Sequence, residues 1–304
     1  MRTVPDYIQF YPTFNCNESC SFCFNRAMPS VPNMVRDDFH KMLGTIKTLG
    51  VKTLDILGGE PTLHPELVEY VRLAALSRLT VNISSNGTRP GVLEDILKIR
   101  GDITIGLSIN DEEACLRLKG FIRSNKPVVK SVFRPDMDSA LIHTIRALGP
   151  QMFYLIYRDS LAQEDLHDAG SFDRFLSAVD QILPSHKIGT VYCSGFLPDV
   201  KAYPELTNMR CPAGTTKLGI MPDGNVYPCN LFFGKQEFLL GNILTDSFKS
   251  IWSHKALDFF RFFIRNTCPK TTCELHSRCH GGCPAHSFAH FRTLAAPDPR
   301  CVGS

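Results

Sequence analysis

Six short β-rich runs, each followed by a segment of helical spacing, fill the first half of this chain. The runs are Tyr7 to Thr13, Thr53 to Leu57, Thr80 to Ser85, Ile103 to Ile109, Val128 to Phe133 and Met152 to Tyr157. The segments between them are amphipathic, as with Phe39, Leu43, Ile46 and Leu49, which return at the interval of one helical face. Parallel strands joined through a helix need a crossover, which is almost always right-handed. The repeat therefore predicts a parallel sheet with buried strands. Six units are too few for an eight-stranded barrel, leaving a partial (β/α)6 barrel or a doubly wound open sheet. In either architecture, functional groups belong at the carboxyl ends of the strands.

The chain has 12 cysteines, and their placement is uneven. Cys16, Cys20 and Cys23 form a C-x3-C-x2-C loop directly after the first predicted strand, and seven more run from Cys211 to Cys301. Only Cys115 and Cys193 fall between. No secretory signal precedes the loop and no run approaches the ~18 apolar residues of a membrane span, so a reducing cytoplasm is expected and metal or redox chemistry outweighs disulfides. Three thiolates on one short loop suit an iron–sulfur cluster whose fourth iron stays open to a small ligand. Zinc ligation, or a redox pair with a spare thiol, is the competing reading, although structural zinc ordinarily takes four protein ligands.

With Phe22 before the third cysteine, this loop resembles that of the radical S-adenosylmethionine (SAM) enzymes. The resemblance implies the partial (β/α)6 barrel. It also implies a four-iron cluster that binds the amino and carboxylate groups of SAM and cleaves it to methionine and a 5′-deoxyadenosyl radical. Gly58-Gly59-Glu60-Pro61, about 35 residues downstream and directly after the second predicted strand, resembles the family's GGEP segment, which holds the SAM amino group. Its glycines would let backbone approach a ligand, and Glu60 would accept from an ammonium group. Ser84 and Asn86 in the run Ser84-Ser85-Asn86-Gly87-Thr88, and Ser108 and Asn110 after the fourth strand, occupy positions that bind the cofactor in relatives. Asn110 replaces the more usual aspartate. Arg134, closing the fifth strand, suits bidentate pairing with a carboxylate. Tyr157, Arg158 and Asp159 at the sixth strand end are candidates for the substrate pocket, with Tyr157 and Asp159 taken as catalytic candidates.

Cys211, Gly224, Cys229, Cys268, Cys273, Cys279, Cys283 and Cys301 resemble the seven-cysteine SPASM pattern of many radical SAM maturases, with Cys268-x4-Cys273 longer than the usual C-x2-C. Ile220 to Cys229 reads as a hairpin turning at Pro222-Asp223-Gly224. The resemblance implies two auxiliary four-iron clusters, one on Cys211, Cys229 and Cys283, the other on Cys268, Cys273, Cys279 and Cys301. That makes three clusters in all. Cys193, ending a predicted strand at Thr190 to Cys193, is a fourth ligand, a hydrogen donor, or a small core residue. Cys115 reads as core. A zinc ribbon on Cys268, Cys273, Cys279 and Cys283 is the alternative, leaving the other three idle. The expected division is 1–190 for the core and 191–304 for a linker and the SPASM module.

A net charge of +3, with Lys and Arg scattered among acids, implies no nucleic-acid partner. By the family's pattern, the substrate is a peptide or protein undergoing cross-linking or oxidation, with electrons from a flavodoxin or ferredoxin. The alternative is a small-molecule epimerase or dehydrogenase acting on a sugar or aminoglycoside. Many peptide maturases carry a leader-binding domain ahead of the loop. Cys16 lies close to the start here, so a leader is expected to engage a separate protein or another surface. Sulfatase-maturing relatives place an aspartate base where this chain has Asn230, and an amide takes no proton at neutral pH.

Overall fold

The computed structural model describes residues 4–137, 139–166, 174–175, 188–191, 211–262, 268–272 and 281–302. The chain divides into two compact units: Met1–Ser19, Asn25–Ile105 and Cys211–Phe263 in the first, and Cys20–Phe24, Gly106–Arg210 and Ile264–Ser304 in the second.

In the first unit, strands β1 (Tyr7–Phe10), β2 (Thr53–Ile56) and β3 (Thr80–Ser85) are parallel neighbours. Helices α1 (Arg36–Thr48) and α2 (Leu67–Leu76) link them, and α3 (Pro90–Leu97) follows β3. Phe10 meets Phe39 of α1, which stacks on Tyr70 of α2 at 4.0 Å between ring centroids. The helix-facing row is accordingly apolar: Ile8 and Phe10, Leu54 and Ile56, Val81 and Ile83 are all buried. The register Gln9↔Asp55↔Asn82 puts three polar residues in one buried row on the opposite face. Tyr7 donates its hydroxyl to Asp55 at 2.8 Å.

The sheet of this unit extends beyond β1 through a segment more than 200 residues away in sequence. Strand β8 (Lys217–Ile220) pairs parallel with β1 in the register Tyr7↔Lys217 to Phe10↔Ile220. It turns at Pro222 to Gly224 into β9 (Asn225–Tyr227), which pairs antiparallel with β8 and with β10 (Gly241–Asn242). The Pro-Asp-Gly hairpin expected from the sequence is therefore present, and it is fused to the sheet.

In the second unit, β5 (Val128–Val132), β6 (Met152–Ile156) and β7 (Ile188–Val191) are parallel, and β5 also pairs with the end of β4 (Ile103–Ser108). Strand β4 passes from one unit to the other at Ile105–Gly106. Helices α4 (Glu112–Asn125) and α5 (Ser139–Ala147) supply the crossovers. Cys115 is buried on α4, as expected of a core residue. Consecutive strands are neighbours in both units, without the reversal of order that defines a doubly wound sheet. The architecture is mixed α/β with a parallel sheet, in the sequential order of a partial barrel.

The first six strands begin where the sequence places them, and all but β3, which ends at Ser85 as expected, stop earlier; β7 begins at Ile188, two residues before the expected Thr190. Strand β1 stops at Phe10, three residues short of the expected Thr13, because Pro12 has no N–H to give the ladder. The expected strand end at Cys193 lies outside the described residues.

Candidate active site

The cysteine loop leaves β1 through Thr13 to Asn15 and is pinned there by the segment after β2. Gly59 N–H donates to Thr13 O at 3.0 Å, and Glu60 N–H to Asn15 O at 2.8 Å. A Cβ on Gly58, whose φ is +154°, would lie 2.7 Å from Thr13 O, and one on Gly59 would strike the carbonyls of Phe14 and Asn15. The glycines are thus required by the chain's own approach: they let two backbones run side by side where the sequence reading anticipated a ligand. Asn25, just past Cys23, donates Nδ2 to Gly58 O at 3.0 Å.

Glu60 lies at the centre of a second set of bonds. Its carboxylate is buried and accepts from Thr62 N (3.0 Å), Thr62 Oγ1 (2.5 Å), Ser85 Oγ (2.8 Å) and Asn86 N (2.7 Å). Three of these donors fall on Oε1 and one on Oε2, so the side chain braces the ends of β2 and β3 while Oε2 keeps acceptor capacity. Asn86, released at the end of β3, donates Nδ2 to Asn17 Oδ1 at 3.0 Å, while Asn17 donates to Thr88 Oγ1 at 2.9 Å. Thr88 closes the ring by donating Oγ1 to Asn86 Oδ1 at 2.7 Å. Asn17 sits between Cys16 and Cys20, so this ring of amides and hydroxyl moors the cysteine loop to the third strand end. Sequence reasoning missed Asn17. An amide inside the cysteine spacing was the available signal.

Cys16 is exposed, Cys20 and Cys23 are half-buried, and none of the three is in a disulfide. Among the described residues, no three His, Cys, Asp or Glu side chains converge as ligands of a single metal ion. Three thiols on one loop, with no fourth protein ligand in it, suit a four-iron cluster with one open iron better than a structural zinc, which takes four. Ser84 and Ser108 are half-buried at the ends of β3 and β4. Asn110 accepts from Val132 N at 2.8 Å through Oδ1, and its carbonyl accepts from Arg134 Nη2 at 3.2 Å. The amide thus links the ends of β4 and β5, and Arg134 stays a third exposed, 3.7 Å from Asp136.

Tyr157 and Asp159 have structural partners in the second unit. Tyr157 donates its hydroxyl to Arg300 O at 3.1 Å, stacks on Phe175 and lies under the Arg300 guanidinium. Asp159 lies 3.7 Å from Arg300 Nη1. Both candidate side chains are buried, in contact with the C-terminal segment. His286 Nε2, which accepts from Ser160 N–H at 3.0 Å, is 3.4 Å from Asp159. Burial, reinforced by the Arg300 charge, pushes the His286 imidazole down to about 3, so it is neutral and makes no ion pair. Burial would raise the Asp298 carboxyl, but the charge and hydrogen bonds of Arg300 hold it well below the usual carboxylate range.

Of the C-terminal cysteines, Cys211 and Cys268 are half-buried, Cys229 is buried beside β9, and Cys283 is half-buried at the start of helix Pro284–Phe291. Cys301 lies on helix Pro299–Val302. Cys193, Cys273 and Cys279 lie outside the described residues. Asn230, following Cys229, is buried and donates Nδ2 to Tyr11 OH at 2.9 Å.

A thiol-bearing loop fixed at the carboxyl edge of a parallel sheet, followed by a second cysteine-rich module, defines an iron–sulfur enzyme. The radical SAM superfamily model matches residues 10–133, and the SPASM iron–sulfur cluster-binding domain matches residues 211–284. The chain is a radical SAM enzyme with a SPASM domain. Such a domain binds SAM and a four-iron cluster, and the SPASM module adds further iron–sulfur binding. Among curated proteins, it is 27% identical to the antilisterial bacteriocin subtilosin biosynthesis protein AlbA of Bacillus subtilis, over 92% of this chain and 67% of that protein. It is 24% identical to the mycofactocin maturase MftC of Mycobacterium tuberculosis, over 95% of this chain and 81% of that protein. Its fold is similar to that of Streptococcus suis SuiB bound to S-adenosylmethionine, with a TM-score of 0.75 and 20% identity across 99% of this chain and 78% of that one. No helix of the described residues is long and apolar enough to cross a membrane.

Proposed function

We propose that this enzyme matures a peptide or protein, using SAM to remove hydrogen from an unactivated C–H bond and leaving a cross-link or an oxidised residue. The observation that carries the reading is the cysteine loop locked between Gly59, Glu60 and Asn86 at the carboxyl edge of the sheet. Relatives named for bacteriocin biosynthesis and for maturation support the peptide class.

In this reading, Cys16, Cys20 and Cys23 hold the SAM cluster. A cluster bound there would supply the one-electron reduction on which SAM-dependent hydrogen removal rests. Gly58 to Pro61, Ser84, Asn86, Ser108 and Asn110 shape the cofactor site through backbone groups and short polar caps. Arg134 pairs with a carboxylate there. Cys211, Cys229, Cys268, Cys273, Cys279, Cys283 and Cys301 would hold two auxiliary four-iron clusters, giving three clusters in all, and these would supply an outlet for one electron. A flavodoxin or ferredoxin is the donor, and the cytoplasm is the compartment. The catalytic core comprises 1–190, with the linker and auxiliary module in 191–304.

The test is anaerobic incubation of the reduced, iron-loaded chain with SAM, followed by measurement of 5′-deoxyadenosine. The wild type should form it, more so with a substrate peptide, while the triple variant Cys16→Ala, Cys20→Ala, Cys23→Ala should form none and keep its auxiliary iron. A colourless wild type holding only zinc sinks the reading.

A further inference from the structure

Within the second unit, a buried polar chain runs from Cys283 to the cysteine loop. Asp298 receives the Cys283 N–H at 3.1 Å and gives its own N–H to Gly281 O at 2.8 Å. This approach is close enough that a Cβ on Gly282, at φ +84°, would overlap Asp298. Gly282, directly before Cys283, is therefore what admits the Asp298 side chain. Asp298 holds Arg300 by two charged hydrogen bonds, Nη2 at 2.6 Å and Nε at 3.0 Å, the bidentate geometry that fixes a guanidinium most firmly. Arg300 Nη1 then donates to Arg158 O at 2.9 Å. Arg158 turns its own guanidinium onto Asp165 at 2.9 Å and onto Ser21 O at 3.3 Å, and Ser21 lies between Cys20 and Cys23. Asp298, Arg300 and Arg158 are all buried, and Arg300 directly precedes Cys301.

We propose that Arg300 and Arg158 are positioning residues that couple the two cysteine-bearing ends of the chain, so that the Cys20 to Cys23 half of the first loop is held in place only when the Cys283 corner is. The inference rests on the reading above, in which these thiols ligate clusters. Its physical basis is that a bidentate pair in a dry interior resists sliding, and each link shares a residue with the next. The arrangement explains three features the activity leaves unused: Asp298-Pro299-Arg300 immediately before Cys301, Gly282 before Cys283, and a buried arginine bonded to the cysteine loop.

Hydrogen exchange by mass spectrometry on the anaerobic, iron-loaded full chain tests it. Arg300→Gln should raise exchange about fivefold or more in both 281–285 and 20–24, because sub-global opening follows shared contacts. Strands β2 and β3 should be unchanged. Arg300→Lys should restore part of the protection. Asp165→Asn perturbs the chain from its other end and should also loosen 281–285. A rise confined to the mutated end overturns the proposal. If Arg300→Gln raises exchange throughout the protein, Asp165→Asn decides. If the wild type binds only zinc, the cluster reading fails, whereas joint or separate opening of the two segments is still read from the same variants.

Discussion

The Glu60 carboxylate accepts the backbone N–H of Asn86 at 2.7 Å, so the turn after β2 and the turn after β3 are fastened through one side chain. Three further donors from Thr62 and Ser85 converge on its other oxygen, Oε1. Glu60 is therefore an acceptor on which this edge of the sheet is assembled.

Glu60→Gln should weaken SAM binding and lower stability together. The amide offers one acceptor oxygen and turns an NH2 group on donors that need an acceptor, which costs about 1–3 kcal/mol. Equilibrium binding of SAM to the iron-loaded protein should fall roughly tenfold or more, and the urea midpoint should drop.

Gly59→Ala should displace the cysteine loop, because the added methyl meets the Phe14 and Asn15 carbonyls, which are backbone. Iron retained by the N-terminal site should fall while helical content is preserved. Gly44→Ala in α1 is the contrast, since nothing lies within 4 Å of its Cβ position. That variant should be stabilised by roughly 0.5–1 kcal/mol with full iron.

Stability should decline as pH falls below about 6.5, the ordinary histidine value. His64 is buried, with Nε2 donating to Met34 O at 3.0 Å and Nδ1 accepting from Glu66 N–H at 3.2 Å, and burial lowers its imidazole below the ordinary value. His286 is pushed down to about 3, also chiefly by burial. Both histidines are neutral in the folded chain and protonate on unfolding, so their stabilisation is complete above the unfolded value and is lost toward the folded one. His286 alone accounts for about 2 kcal/mol between pH 7 and pH 5. Urea midpoints at the two pH values should show the loss, and His64→Gln should lose less than the wild type.

Asn230→Asp should destabilise the chain and confer no sulfatase-type oxidation. The new carboxylate would replace the amide that donates to Tyr11 OH in a buried site, at a cost of about 1–3 kcal/mol. The unfolding midpoint, together with a search for a formylglycine product on a cysteine- or serine-bearing peptide, checks both halves.

The six parallel strands were legible because strand and helix periods alternate so regularly between Tyr7 and Ile156. Strand β8 was not, since four residues from Lys217 carry no mark of a partner at Tyr7; parallel pairing leaves no local signal, unlike a hairpin turn. The cysteine loop and the Gly-Gly-Glu-Pro turn were visible as motifs, but the direction of the Glu60 side chain was not. Whether a carboxylate faces a ligand or its own fold depends on donors such as Ser85 and Asn86, which lie 25 and 26 residues away. Tyr157 and Asp159 looked available from their place at a strand end. They are covered by Arg300, a partner more than 140 positions on. The polar row of Gln9, Asp55 and Asn82 is a product of strand register, which no single strand reveals.

Because β8 lies against β1, the first strand of the catalytic sheet owes one whole side of its ladder to the cysteine-rich module. Cutting the chain before Cys211 would strip that side bare and present unsatisfied peptide groups to any passing strand, an invitation to aggregate.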